Sequence, residues 1–268
     1  MNIKQYGLVC FLVSSTLLTS HAMADEVIVN GGFEATGIDE YDIQGWNVAE
    51  AGAFGSVLLE NDGITNVSGR NNVGAAAGVN YALLDAYTLS NQALYQTFTT
   101  GAVSSATLSF SMFVNNQSAN GTQIRDAGTG AALLDYQTGG SFDPNQHVRV
   151  EILNAGAGTF STATSDIAQT FYVGGSNGSS VIGGDVANPY VNYTFNVSAL
   201  LATGGTYTLR FASVANEGQL QLGIDNVSLQ ITPVLTPVPE ADTYAMLLAG
   251  LGLIGFATRR ESKHRKSI

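Results

Sequence analysis

The sequence predicts an all-β fold, an antiparallel β-sandwich of jelly-roll type, flanked by an apolar segment at each end of the chain. Two observations predict this class. Apolar and polar residues alternate along many short stretches, which is the pattern of strands with one buried face. The stretches between them are rich in Gly, Asn and Ser, as turns are, and no convincing amphipathic helix lies between residues 25 and 232.

Residues 1–24 have the layout of a secretory signal peptide. Lys4 precedes a long apolar run, and the small residues Ala22 and Ala24 stand just before two acidic residues. A basic start, an apolar middle and a small-x-small site are what signal peptidase recognises, so we expect cleavage after Ala24. The single cysteine, Cys10, lies within this segment, so no disulfide is expected in the rest of the chain.

Residues 25–232 are expected to form the sandwich. The clearest strand places Leu108, Phe110, Met112 and Val114 at alternate positions. Further strands are predicted, in chain order, over 26–30, 46–48, 56–59, 81–84, 94–99, 148–152, 167–173, 193–197, 207–211 and 220–224. Three stretches too polar or Gly-rich for strands are predicted to be long loops: about 61–80, 115–146 and 174–190. Such loops are either binding loops or merely tolerated insertions.

The charge decides against nucleic acid as a partner. The chain carries a net charge of −11, and residues 25–232 contain no lysine. Their only basic residues are Arg70, Arg125, Arg149 and Arg210, which are too few for a phosphate-binding surface. The acidity is compatible with divalent cations.

The sequence favours a non-catalytic protein. His147 is the only histidine of residues 25–232, so a His-based metal cluster is excluded, and we expect His147 at the surface near a strand end. No phosphate-binding loop can form, because the lysine that it needs is missing. Paired carboxylates for glycoside hydrolysis are not excluded, since acidic residues are numerous.

Motifs at both ends of the sandwich resemble those of galactose-binding-like jelly rolls, which include carbohydrate-binding modules. The opening run 29–34 reads Val-Asn-Gly-Gly-Phe-Glu and is followed by Gly45-Trp46, and residues 223–229 read Gly-Ile-Asp-Asn-Val-Ser-Leu. The resemblance implies a structural calcium ion held by oxygen atoms of Asn30, Glu34 and Asp225. The alternative is that the two carboxylates only cap turns by accepting backbone amides.

Polysaccharide binding would require exposed aromatic rings in a cleft or loop patch, because aromatic faces stack on sugar rings. The candidates, which lie in or beside predicted loops, are Tyr87, Tyr136, Phe142, Tyr172 and Tyr190. Rings grouped in one concave site would favour a carbohydrate-binding module, and scattered or buried rings would favour a structural protein. Trp46, the only tryptophan, is predicted to lie in the core.

Residues 233–268 differ in character from the sandwich. Prolines at 233, 237 and 239 keep the approach extended, and an apolar stretch at about 244–257 is predicted to be a single transmembrane helix, although it is short. Half of the ten Lys and Arg residues follow it in the last ten positions. Basic residues stay on the cytoplasmic side, which places the sandwich outside.

This tail resembles the PEP-CTERM sorting signal of Gram-negative bacteria. The matching residues are Val238, Pro239, Glu240, the run 248–253 and the pair Arg259 and Arg260, while Ala241 stands where proline is usual. The resemblance implies a precursor anchored transiently in the inner membrane and cut by an exosortase-type protease. The alternatives are an ordinary tail anchor or a buried apolar helix.

We therefore expect an exported, non-catalytic protein of the cell surface or extracellular matrix, in an exopolysaccharide or biofilm context that the tail resemblance implies. Two other functions remain open at this point. The domain is a carbohydrate-binding module that recognises a polysaccharide, or it is a glycan-acting hydrolase on the same scaffold.

Overall fold

The computed structural model describes residues 23–64, 66–118, 133–137, 145–175, 187–234 and 241–264, with side chains between 244 and 256 in the last range. The chain divides into two compact units, one up to Pro233 and one from Val234 onward. The predicted signal peptide, apart from its last two residues, lies outside the described residues.

Eleven strands form two antiparallel sheets in the described part of the first unit. In chain order the elements are β1 (Asp25–Glu26), β2 (Asn47–Gly52), β3 (Gly55–Glu60), β4 (Tyr81–Ala86), β5 (Ser90–Thr100), β6 (Val103–Asn116), β7 (Gln146–Asn154), β8 (Ile167–Gly174), β9 (Val191–Asn196), α1 (Ser198–Leu201), β10 (Gly205–Ala215) and β11 (Leu220–Pro233). The first sheet has the order β3-β4-β11-β6-β9, with β1 also on β11, and the second has the order β2-β5-β10-β7-β8.

The chain crosses repeatedly between the sheets, from β4 to β5, β6 and β7 and again from β8 to β9, β10 and β11. These crossings give a sandwich of jelly-roll type, so the predicted fold class is confirmed. All of its strand pairs are antiparallel. The alternation of apolar residues predicted the strands because each strand turns one face to the partner sheet.

The core lies between the two sheets. The ring of Phe211 is fully buried and contacts Trp46 and Phe110, with centroid separations of 6.1 and 5.3 Å. Trp46 is 8% exposed, which confirms its predicted place in the core. The buried residues of this core run from Ile28 to Ile231, so the core is complete within residues 25–233. We therefore expect residues 25–233 to fold as a unit.

The structure corrects three details of the predicted elements. The strand predicted over 26–30 ends at Glu26, because Asn30 adopts a left-handed backbone with φ of 51° and turns the chain. The one-turn helix α1 was not expected between residues 25 and 232. His147 is fully buried rather than exposed, since its strand neighbour Val214 is covered by Leu134.

Replacing Phe211 by Ala is expected to lower the free energy of unfolding by about 3–5 kcal/mol, because it leaves a cavity where a large ring contacts both sheets. Urea unfolding of residues 25–233 measures the change. Val173→Ala is the matched control, since Val173 is 36% exposed and should lose less than about 1 kcal/mol. A loss below about 1 kcal/mol for Phe211→Ala would contradict this packing.

Candidate functional site

The C-terminal unit contains one described helix, α2 (Ala241–His264), which begins earlier and ends later than the predicted 244–257. Val238, Pro239 and Glu240 of the sorting motif lie outside the described residues, while Ala241, Arg259 and Arg260 belong to the helix. Its large apolar side chains are all more than half exposed: Tyr244, Met246, Leu247, Leu248, Leu251, Leu253, Ile254 and Phe256. Apolar surface of this extent marks a segment that contacts a membrane or another protein.

A transmembrane helix is not confirmed. Among the residues that the structure describes, no helix combines the length and the apolar character needed to cross a membrane. α2 contains glycines at 250, 252 and 255, and its apolar stretch is followed by the basic residues Arg259 and Arg260.

The residues predicted to hold calcium lie around one segment. Residues 61–80, which we call the strap, connect β3 to β4. Glu34 accepts the amides of Val79 and Asn80 at 2.7 and 3.0 Å. Asp225 accepts the amides of Ala76 and Ala77 at 2.8 and 2.9 Å. Both carboxylates therefore fasten the C-terminal end of the strap, as in the turn-capping alternative.

The pKa values of Glu34 and Asp225 are shifted in opposite directions, and calcium binding at these residues stays a prediction. Backbone hydrogen bonds from Asn80 and Val79 lower the pKa of Glu34, whereas burial raises the pKa of Asp225 and the nearby charge of Glu34 raises it further. A cation would relieve the repulsion between the two carboxylates. Within the described ranges, no group of three or more His, Cys, Asp or Glu side chains is arranged for a metal.

Asn30 organises the turn beside these carboxylates. Its side chain donates to the carbonyls of Ala35 and Gln44 and accepts the amide of Ala35, at 2.8 to 3.0 Å. The neighbouring Gly31 has no room for a side chain, because a Cβ would lie 1.7 Å from the carbonyl oxygen of Val227. The opening Asn-Gly motif thus allows the first segment to lie directly on the last strand.

The strap covers the outer face of the first sheet. Ser68 donates its amide to Asp85 at 2.7 Å, and the Tyr81 hydroxyl donates to Asn72 at 2.7 Å. Ala75 packs against Tyr81 and its neighbours in a small apolar cluster. The side chains that β4 turns outward are consequently buried, which leaves little of this part of the face open to a ligand.

An acidic pocket lies where the strap leaves β3. Its volume is about 410 Å³, and its lining comprises Glu40, Tyr41, Leu58, Leu59, Glu60, Asn61, Asp62, Asn66 and Val67. Burial of Glu60 raises its pKa to about 7, and the charges of Asp62, Asp85 and Glu40 add to the effect. Three carboxylates, those of Glu40, Glu60 and Asp62, thus line one cavity.

The predicted aromatic residues do not form one group. Tyr87 is 53% exposed in the turn between β4 and β5. Tyr136 packs near Leu134 on the outer face of the second sheet. Phe142 lies outside the described residues.

The remaining two aromatic candidates are used in packing. Tyr172 lies on β8, half-buried, with its ring 6.0 Å from Tyr193. Tyr190 packs edge-on against Phe113 with ring centroids 5.0 Å apart, and burial raises the pKa of its hydroxyl. The five residues therefore lie on different parts of the sandwich where they are described.

A cleft that the loop-based reasoning missed lies on the outer face of the second sheet. We call it the threonine cleft. It has a volume of about 240 Å³ and is lined by Tyr95, Thr97, Leu153, Ala155, Gly156, Ala157, Thr159, Thr206, Thr208 and Arg210. The hydroxyls of Thr97 and Thr208 are 2.9 Å apart, and Tyr95 is half-buried beside them. The outward-facing Thr positions of β5 and β10 were the sequence signal for it.

Arg210 fixes one wall of the threonine cleft. It is fully buried and donates to the carbonyls of Thr159 and Ser161 at 2.6 and 2.9 Å. It also pairs with Glu151, which in turn pairs with Arg149. Burial alone would raise the pKa of Glu151, but the two arginines outweigh it and hold that pKa below its ordinary value. The paired charges thereby hold the loop after β7 over the sheet.

Comparison with known proteins identifies the tail. The family model described as the PEP-CTERM protein-sorting motif matches residues 237–261, which confirms the resemblance seen in the sequence. This signal implies an exported protein with a transient membrane anchor. No curated protein matches the chain.

Solved structures similar to this chain are distant β-sandwich proteins. TmCBM61, solved with β-1,4-galactotriose, is 11% identical with a TM-score of 0.42, over 76% of this chain and 97% of that one. The K2 cleaved adhesin domain of Lys-gingipain is 12% identical with a TM-score of 0.46, over 80% and 100%. The Stig cyclase Fisc from Fischerella sp. TAU is 16% identical with a TM-score of 0.43, over 80% and 100%. Similarity at this level carries no conclusion about ligand or activity.

The stability of residues 25–233 is expected to fall as the pH rises from about 4.5 to about 7, because burial raises the pKa of Glu60 from 4.5 to about 7. A raised pKa in the folded state means that stability is fully present below about 4.5 and is lost as the pH rises through about 7. The loss should be about 1–2 kcal/mol, because the open pocket screens part of the full effect.

Urea unfolding at a series of pH values measures this change. The Glu60→Gln variant should lose the pH dependence across this window, while Asp25→Asn, on exposed β1, should keep it. An unchanged slope in Glu60→Gln would show that the pocket does not hold a carboxylate of raised pKa.

Proposed function

We propose that this chain is an exported, non-catalytic protein of the cell surface or extracellular matrix, sorted through its PEP-CTERM signal. The observation that carries the proposal is the motif match at residues 237–261. Signal peptidase cleaves after Ala24, the tail holds the precursor at the inner membrane, and an exosortase-type protease then removes the tail. The sandwich is thereby transferred to the surface or the surroundings, in an exopolysaccharide or biofilm context.

Transient anchoring agrees with the properties of α2. Its apolar stretch is short for a full span, so it requires local thinning of the bilayer and arginine side chains that reach the interface. Arg259 and Arg260 are placed to do this on the cytoplasmic side. Since the core of the sandwich is complete within residues 25–233, cleavage beyond Pro233 leaves that core intact.

Replacing both Pro239 and Glu240 by Ala is expected to reduce release by on the order of tenfold, because a charged hydrogen-bonding group of the protease recognition motif is lost. The measurement is immunoblotting of membrane and extracellular fractions in a host that carries an exosortase-type protease. The wild type should appear as a shortened extracellular product, and the double variant as a membrane-associated precursor.

Thr236→Ala is the control for this experiment, because Thr236 lies just before the matched residues 237–261. It should be processed like the wild type. Release of the double variant at the wild-type level would contradict the sorting proposal.

The second candidate function is binding of a polysaccharide in the threonine cleft. The observation that favours it is a half-buried aromatic ring, Tyr95, beside the paired hydroxyls of Thr97 and Thr208 in a concave site. An aromatic face can stack on a sugar ring while hydroxyls and loop carbonyls bond its hydroxyl groups. The cleft differs from the site predicted from the sequence, because none of its lining residues is among the five predicted aromatics.

Replacing Tyr95 by Ala is expected to weaken retention on a bound polysaccharide by about tenfold, because it removes the stacking surface. Residues 25–233 are screened on a polysaccharide array, with melting curves to verify that each variant is folded. Tyr87→Ala is the control, since Tyr87 is an exposed aromatic residue outside the cleft and its loss should leave retention unchanged.

Repeating the array and the melting curves with calcium and with EDTA distinguishes sugar binding in the threonine cleft from calcium binding at the predicted metal site. A melting temperature that rises with calcium, and does not rise in Asp225→Ala, would support the site at Asn30, Glu34 and Asp225. Retention that survives Tyr95→Ala would argue against the threonine cleft as the binding site.

The alternative is a glycan-acting hydrolase, which is tested by measuring the release of reducing sugar from the same polysaccharides. Such an enzyme needs two carboxylates across a groove, one with a raised pKa. Glu60 with Asp62 in the acidic pocket is the described place where it would have to act. Release of reducing sugar that stops in Glu60→Gln would support the hydrolase against the non-catalytic proposal.

A further inference from the structure

Two terminal strands meet along one side of the sandwich. β9 ends the first sheet and β8 ends the second. Aromatic contacts join them, since the rings of Phe171 and Phe195 are 4.9 Å apart and those of Tyr172 and Tyr193 are 6.0 Å apart. We call this side the β8/β9 edge, residues 167–174 and 191–196.

The β8/β9 edge is uncharged, unlike the opposite edges. β8 reads Ile-Ala-Gln-Thr-Phe-Tyr-Val-Gly and β9 reads Val-Asn-Tyr-Thr-Phe-Asn, with no charged residue and no proline. The terminal strands on the other side, β2 and β3, carry Glu50 and Glu60. Charges and prolines are the usual protection of sheet edges against pairing with another chain, and the β8/β9 edge lacks both.

Every second residue of β9 is exposed. Tyr193 and Phe195 are half-buried, and the alternate residues Asn192, Thr194 and Asn196 are exposed. Among the described residues, β9 pairs only with β6, so its outer backbone amides and carbonyls have no strand partner there. β-branched and aromatic residues at these positions favour an extended strand ready to pair.

We propose that the β8/β9 edge is a self-association interface, in which β9 pairs antiparallel with β9 of a second copy of this chain. Such a contact uses the same strand on both copies, as a two-fold symmetric interface requires. The net charge of the chain indicates that the partner at this edge is a second copy. Two chains of net charge −11 repel each other least where they carry no charge, whereas a basic partner would be drawn to the acidic edges instead.

The strength of this contact follows from its size. Pairing of two six-residue strands buries far less surface than the roughly 1,200–2,000 Å² of a stable interface. The association is therefore weak in dilute solution. Chains held close together on a surface have a high effective concentration, which makes weak contacts count. The interface therefore supplies cohesion between neighbouring copies on the cell surface or in the matrix, a role that rests on the proposed function but not on the threonine cleft.

The test is sedimentation velocity of residues 25–233 from about 1 µM to about 1 mM, the range of weak association. The mean mass of the wild type should rise toward that of a dimer with concentration. Thr194→Lys puts a positive charge on β9 of each copy, so it should remain a monomer throughout. Melting curves verify that the variants are folded.

Thr107→Lys is the matched control. Thr107 is exposed on the same outer face of the first sheet, but on β6, which already has partners on both sides. It should associate like the wild type. A wild type that stays monomeric at the highest concentration, or a Thr194→Lys variant that associates equally well, would overturn the proposal.

Discussion

The pairing of β11 with β4 on one side and β6 on the other is the interaction on which the rest of the sandwich depends. It places the last strand in the middle of the first sheet, so that the sheet is complete only when the chain has reached Pro233. It also carries Asp225 to the amides of the strap, and Val227 to the opening Asn-Gly turn. The two ends of the domain are thus locked together just before the tail begins.

The two outer faces of the sandwich differ in how a loop covers them, and this difference determines where a ligand could bind. Three carboxylates, Glu34, Asp85 and Asp225, fasten the strap over the first sheet through backbone amides. On the second sheet, Arg210 fastens the loop after β7 at one side only and leaves the threonine cleft open. Charged side chains therefore hold a loop on each face, through exposed Glu34 and buried Asp85 and Asp225 on one and through buried Arg210 on the other.

The strands could be predicted from the sequence because a period of two follows directly from one buried face. Glu34 and Asp225 both accept backbone amides from residues 76–80, while the calcium ion expected at these two carboxylates stays a prediction. The burial of His147 could not be predicted, because it depends on the covering segment around Leu134. Choosing aromatics by their nearness to loops selected Tyr190, which packs on Phe113, and left out Tyr95, which faces outward from the middle of a strand.

The distribution of charge connects the cleft with the β8/β9 edge. Arg149 and Arg210 are buried in pairs with Glu151, so they contribute little to the outer surface. Glu60, Asp85 and Asp225 are buried as well, so the outer surface of the described sandwich is acidic through exposed residues such as Asp25, Glu34 and Glu50. This negative surface charge repels both anionic polymers and other copies. Contacts of either kind must form where acidic side chains are missing. The threonine cleft and the β8/β9 edge both meet that condition, and they share no residue, so the proposed glycan site and the proposed self-association interface do not exclude each other.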